Sequence, residues 1–204
     1  MQRLLCTRCG DSIHPDTAKR NDGLCVPCVR GNLLSIEQRK DRHRNEREAE
    51  RAWLESPEHR YWSSLVDRVY KQPGGFGVLS RGDQLYYLVN VLSGEVHNGG
   101  FDQFFSNSSG DRYYETVQAL VDLGDRTTLG LLEEAKSALF EAARVPVDRI
   151  VRFRLMRTAS EDHPQYDATV LALEELDKRF YASAERVTKL LERVAAEHDL
   201  YHGA

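Results

Sequence analysis

Residues 95–111 read EVHNGGFDQFFSNSSGD, and the reading of this stretch decides what kind of domain surrounds it. Phe101, Phe104 and Phe105 recur at spacings of three and four, so one helical turn places all three rings on a single face. Gly94, Gly99 and Gly100 allow left-handed backbone where one helix ends and the next begins. Asn98 and Asn107 carry short amides suited to bonding backbone groups at the two ends of a short helix. Read this way, the stretch is a tight helix–turn–helix corner that drops aromatic rings into a core. If a phenylalanine faces outward instead, the same residues form a docking or dimer surface.

The flanking sequence carries the same helical period. Ser56 and Pro57 open a segment whose stripe is Tyr61, Trp62, Leu65, Val66 and Val69, and QPGGFG breaks it. A second helix starts near Ser80 with Leu85, Tyr86, Leu88, Val89 and Leu92. Past the opening stretch, helices are expected over 111–123, 128–143, 148–159, 166–178 and 183–198. The stripe of 148–159 is Ile150, Val151, Phe153 and Leu155. His163-Pro164 marks a break. No convincing alternation of apolar and polar residues occurs outside the cysteine region. The expectation is an all-α, multi-helix domain over residues 57–204, with about seven helices.

The four cysteines all lie in the first 28 residues, as CTRC and CVPC separated by fifteen residues. Two Cys-x-x-Cys knuckles supply four thiolates for a tetrahedral ion, so Cys6, Cys9, Cys25 and Cys28 are read as ligands of a structural zinc. Four protein ligands leave no open position for catalysis. Disulfides are disfavoured in a chain expected in the cytoplasm, and a redox pair needs one motif beside a βαβ pattern. Residues 1–33 are thus expected to form a small zinc-ribbon or treble-clef-like module. Residues 34–56 form a charged helical linker, opened by a capping box of Ser35 and Gln38 and laced by Arg42–Glu46, Arg44–Glu48, Asp41–Arg44 and Arg47–Glu50 pairs.

Charge is divided unevenly. Residues 1–60 hold 12 Lys/Arg against 10 Asp/Glu, while the rest hold 16 against 22, within a net charge of −4. Neither part has the strongly basic balance of a nucleic-acid binder. No apolar run is long enough to cross a membrane.

The string ExxNGGFxQFFxN, carried here by Glu95, Asn98, Gly99, Gly100, Phe101, Gln103, Phe104, Phe105 and Asn107, resembles a bacterial family of helical domains of unassigned function. LDKRFY near the end adds to the likeness, which covers roughly residues 60–185. The best-known member of that family is a DNA-mimic protein. The resemblance implies an all-helical domain, often a homodimer, whose acidic surface imitates DNA phosphates and occupies the DNA-binding face of a basic protein. The zinc module is an addition to that pattern.

Mimicry requires carboxylates set out like phosphates. The candidate acidic surface is Asp102, Asp111, Glu115, Asp122, Asp125, Glu133, Glu134, Glu161, Asp162, Asp167, Glu174, Glu175 and Asp177. Opposing it are Arg144, Arg149, Arg152, Arg154 and Arg157. A second reading is an adaptor whose zinc module meets nucleic acid or protein through Arg3, Arg8, Lys19, Arg20 and Arg30. A third is an enzyme centred on Glu95 and His97, although no nucleophile–base spacing or phosphate loop accompanies them. The sequence favours a non-catalytic binding or regulatory protein.

Overall fold

The computed structural model describes residues 3–31, 36–157 and 166–201 and divides into two units, Met1–Arg60 and Tyr61–Ala204. In the first, strands β1 (Leu4–Leu5) and β2 (Ser12–Ile13) pair antiparallel, Leu4 opposite Ile13 and Leu5 opposite Ser12. Helices α1 (Pro15–Arg20) and α2 (Val26–Val29) follow, each with a proline in its first turn, where the N–H would have no helical partner. The buried core is only Cys6, Ile13, Ala18, Cys25 and Cys28. So small an apolar core does not hold a chain folded unaided.

Helix α3 (Ile36–Leu54) is the charged segment, and none of residues 38–54 is buried. It carries two of the four expected pairs, Arg42–Glu46 at 3.6 Å and Asp41–Arg44 at 2.8 Å, and has His43–Glu46 at 3.1 Å, while Arg44–Glu48 and Arg47–Glu50 are not among the ion pairs of the described residues. Ser35, the expected cap, lies outside the described residues. Ser56 caps the next helix, α4 (Pro57–Lys71), its Oγ accepting the His59 N–H at 3.1 Å.

The second unit is helical as the periodicity predicts: α5 (Arg81–Ser106), α6 (Tyr113–Leu123), α7 (Arg126–Phe140), α8 (Arg149–Arg157), α9 (Tyr166–Ala182) and α10 (Ala184–Glu197). Single 3-10 turns span Gly75–Val78 and Ser108–Arg112. Among the described residues the only strands are β1 and β2. No described helix is long and apolar enough to cross a membrane.

Helix α5 is the axis of this unit. Leu85 through Val89 are buried without a break, and Leu92, Val96, Phe101, Phe104 and Phe105 continue the burial. A helical stretch buried on all sides, as Leu85–Val89 is, must be wrapped by others, and α6, α8, α9 and α10 all pack against α5. Its start is fixed by Asp83, which receives the Tyr61 hydroxyl at 2.6 Å, the Ser80 hydroxyl at 2.7 Å and both terminal nitrogens of Arg68. At the far end of the α6–α7 corner, Asp125 is the N-cap of α7. It is buried, and it accepts the Thr128 N–H at 3.3 Å and the Thr128 hydroxyl at 2.6 Å.

The stretch at 95–111 holds the expected corner: α5 is two helical halves that meet at the non-helical Gly99 (φ −159°, ψ 28°) and Gly100 (φ +75°, ψ −176°). Two other expectations are corrected. Gly94, expected in a left-handed turn, sits within the helix and has no positive φ. In α8 the stripe is inverted. Ile150 (63 % exposed), Val151, Phe153 and Leu155 face outward, while Arg152 is fully buried. The reason is polar rather than apolar: Arg152 is drawn inward by the carbonyl groups described below.

Candidate functional site

The four sulfurs of Cys6, Cys9, Cys25 and Cys28 lie within 4.8 Å of one another. Tetrahedral zinc with Zn–S bonds near 2.3 Å needs sulfurs about 3.8 Å apart, so a small contraction completes the site. The local fold prepares it: Cys25 is the N-cap of α2, its Sγ accepting the Cys28 N–H at 3.4 Å, and Cys6 Sγ accepts the Cys25 N–H at 3.2 Å. Burial works against ionisation of Cys6, yet backbone N–H groups of Cys25, Cys9 and Arg8 outweigh it and bring that thiol down to about 6. At Cys9 the Asp11 N–H pulls downward, but burial and the neighbouring sulfurs push the thiol up to about 12. Four crowded sulfurs thus resist joint deprotonation unless a cation sits among them. The cluster is a four-sulfur donor set that could hold a metal ion. Around it Arg3, Arg8, Lys19, Arg20 and Arg30 are all exposed.

In the second unit the polar and aromatic residues of the string ExxNGGFxQFFxN form one folded device, with each residue type doing a different job. Phe101, Phe104 and Phe105 are all fully buried, so none of them forms an outward docking surface. Phe105 meets Tyr113 and Phe140, and Phe101 stands edge-on to Phe180. The polar members converge on Glu95. Its Oε2 accepts Gln103 Nε2 at 2.7 Å and Asn107 Nδ2 at 2.9 Å, and its Oε1 accepts the Ser109 hydroxyl at 3.2 Å. Asn98 Nδ2 donates to Gln103 Oε1 at 3.1 Å. The two asparagine side chains therefore bond side chains, not the backbone groups expected of them.

Gly100 has φ +75° and ψ −176°, a combination open in practice to glycine alone. A Cβ there would overlap the carboxylate of Asp177. Asp177, on α9, accepts the Phe101 N–H at 2.9 Å and so caps the second half of α5 from a neighbouring helix. His97 is exposed on another side of α5, its ring against Phe180 and Tyr181 and its Nδ1 2.8 Å from the Ser93 carbonyl oxygen. Glu95 and His97 do not converge into an acid–base pair.

The candidate acids divide into paired and unpaired groups. Asp111 meets Arg152 at 2.7 Å, Glu115 meets Arg112 at 3.4 Å, Glu134 takes both arms of Arg179, Asp122 pairs with Arg81 and Glu175 lies 3.8 Å from Lys178. Asp125, expected on the surface, is only 5 % exposed and serves as a cap. Glu161 and Asp162 lie outside the described residues. Asp102, Glu133, Asp167 and Glu174 are exposed with no ion-pair partner among the described residues. Asp102, Glu174 and half-buried Asp177 line a hollow of about 260 Å³ with Leu139, Met156 and Val170. Burial pushes the Asp177 carboxyl up; the Phe101 N–H opposes this, and the charges of Asp102 and Glu174 add to it.

A family model described as DMP19-like protein matches residues 78–198, more than half of the chain. The chain belongs to the DMP19-like family. No curated protein and no solved structure matches it. The DMP19-like segment begins at the 3-10 turn before α5 and ends in the region of α10, so it contains the kink, Glu95 and its partners, and the Asp102–Glu174–Asp177 hollow. The four cysteines lie outside it.

Within the DMP19-like segment the residue that the sequence misassigned is Arg152. Its Nε donates to the Phe105 carbonyl at 2.5 Å, Nη1 to those of Pro146 (2.7 Å) and Val147 (3.0 Å), and Nη2 to the Asn107 carbonyl (2.6 Å) and Asp111 (2.7 Å). It thereby satisfies the carbonyls that the end of α5 leaves bare. Nothing local in RIVRFRLMR distinguishes this arginine from its neighbours, because its partners lie 41 to 47 positions away or in the preceding loop.

Proposed function

We propose that this is a binding protein rather than a catalyst, a DNA mimic whose acidic helical unit occupies the DNA-binding face of a basic protein. The observation that carries the reading is the Asp102–Glu174–Asp177 group in a DMP19-like unit: three carboxylates close enough for their charges to disfavour ionisation of Asp177. Such a group attracts cationic side chains as DNA phosphates do. The exposed Glu133 and Asp167, with no ion-pair partner among the described residues, extend the supply of carboxylates. The separation of Glu95 from His97 supports the non-catalytic side of the reading.

The test is competition. The full chain is titrated into a complex of a histone-like protein with duplex DNA at several salt concentrations. The expected result is release of DNA at low ionic strength that fades as salt rises, with a weaker effect for the Asp102→Asn/Glu174→Gln double variant. No release at low salt overturns the proposal. The four-cysteine cluster is assigned a structural zinc, on the strength of its four-sulfur donor set and spacing. Zinc would hold β1–β2, α1 and α2 together in place of an apolar core.

A further inference from the structure

Glu95 also borders a cleft of about 610 Å³ whose walls are not explained by holding the kink. Helix α4 contributes Trp62, Val69 and Tyr70, and α5 contributes Tyr87 and Val91. Trp62 lies nearly parallel to Tyr87, with ring centres 5.9 Å apart and planes 27° apart, and the Tyr70 and Tyr87 hydroxyls meet at 3.0 Å. The same cleft is lined by three carboxylates, Glu95, Asp111 and Glu115.

The cations nearby are already engaged. Arg112, which lines the cleft, sits with its guanidinium 4.0 Å from the centre of the Phe76 ring and 3.4 Å from Glu115. Arg152 is committed to Asp111 and four carbonyls. Glu95 is held by two amides and one hydroxyl, with no cation against it among the described residues. Its Oε1 accepts a single bond and retains capacity for another. A half-buried carboxylate beside aromatic faces creates a local negative potential in a partly water-free setting.

We infer that this cleft receives an arginine side chain presented by a basic partner protein, its guanidinium toward Glu95 and its flat face along Trp62; this rests on the reading of the chain as a protein that binds a basic partner. Arginine fits better than lysine because its planar, weakly hydrated head stacks on aromatic rings and still donates to a carboxylate. Its apolar stem matches the valines of the wall.

The experiment uses the full chain with its metal and two blocked peptides, Gly-Gly-Arg-Gly-Gly and the same sequence with neutral citrulline. Backbone amide resonances and the Trp62 indole are followed by NMR. The arginine peptide should shift Tyr87, Val91 and Glu95 saturably, and citrulline should bind about tenfold more weakly. Trp62→Leu should weaken arginine-peptide binding by about tenfold, and Tyr70→Ala, at an exposed position, provides a second variant with little risk to folding. Equal shifts from both peptides, no shift at the cleft, or shifts confined to the Asp102–Glu174 hollow each overturn the inference. If the wild type and Trp62→Leu release DNA equally well, the cleft falls and the DNA-mimic reading stands. If the peptide enters the cleft but the wild type releases no DNA, the cleft stands and the DNA-mimic reading falls.

Discussion

Replacing Arg152 by methionine tests whether a buried arginine, rather than the apolar residues beside it, anchors α8. Methionine retains much of the stem but none of the five hydrogen bonds, which run from 2.5 to 3.0 Å. Four carbonyls and the Asp111 carboxylate lose their donor. Counting a charged bond at about 1.5–3 kcal/mol apiece would give about 7.5–15 kcal/mol, as much as the whole stability of an ordinary domain. The loss must therefore be discounted, since Asp111 is 39 % exposed and water can reach it. Removing one partner of a buried ion pair costs about 3–5 kcal/mol, and that range is the expected destabilisation. For a protein of this size it corresponds to a fall in Tm of about 6–20 °C. Urea unfolding of the full chain, followed by circular dichroism at the helical band, measures it. Arg154→Met is the control: Arg154 is exposed on the same helix, and its change should stay within about 0.5 kcal/mol. If the two variants lose the same stability, or Arg152→Met loses less than about 1 kcal/mol, the anchoring argument is wrong.

Gly100→Ala should destabilise by about 2–3 kcal/mol, because the backbone there suits glycine alone and the new Cβ meets Asp177. Gly94→Ala, within the same helix and with open space around it, should instead stabilise by about 0.5–1 kcal/mol in the same urea assay. At Asp83, burial raises the carboxyl, but Arg68, Tyr61 and Ser80 overcome it and hold it at about 2, below the usual aspartate range. Its contribution is complete above that usual range and disappears as pH falls through about 2, so Asp83→Asn should flatten the acid limb of the stability–pH curve. An unchanged limb would refute the role of that network. Stripping the metal with a chelator, or substituting Cys25→Ser, should release about one equivalent of zinc and melt residues 3–31, as read by amide NMR, while signals of α5–α10 persist. Persistence of the Cys6–Cys28 region without metal would remove zinc from its structural role.

Much of this protein is legible in one dimension because the governing interactions are local. Helical period placed the elements of the second unit, since a side chain's burial on a helix follows from its phase, and Ser56 announced the cap of α4. The paired knuckles announced the sulfur cluster, since two residues between cysteines is the span that lets both thiols reach one ion. ExxNGGFxQFFxN marked the family because its members answer one another within a few turns of chain: Glu95 with Gln103 and Asn107, the phenylalanines with one core.

What needed the tertiary structure was every interaction closed across many residues. Asp177 caps α5 from 76 positions away, Arg152 gathers the carbonyls of Phe105 and Asn107, and Arg179 neutralises Glu134 across two helices. Composition counted these acids and bases as surface charge, and only their placement divides the acids into caps, ion pairs and a group with no ion-pair partner among the described residues. The physical reason is that a charge acts through distance in space: a short-range rule reads neighbours along a helix, whereas the partner that neutralises or buries a carboxylate is chosen by how the helices pack.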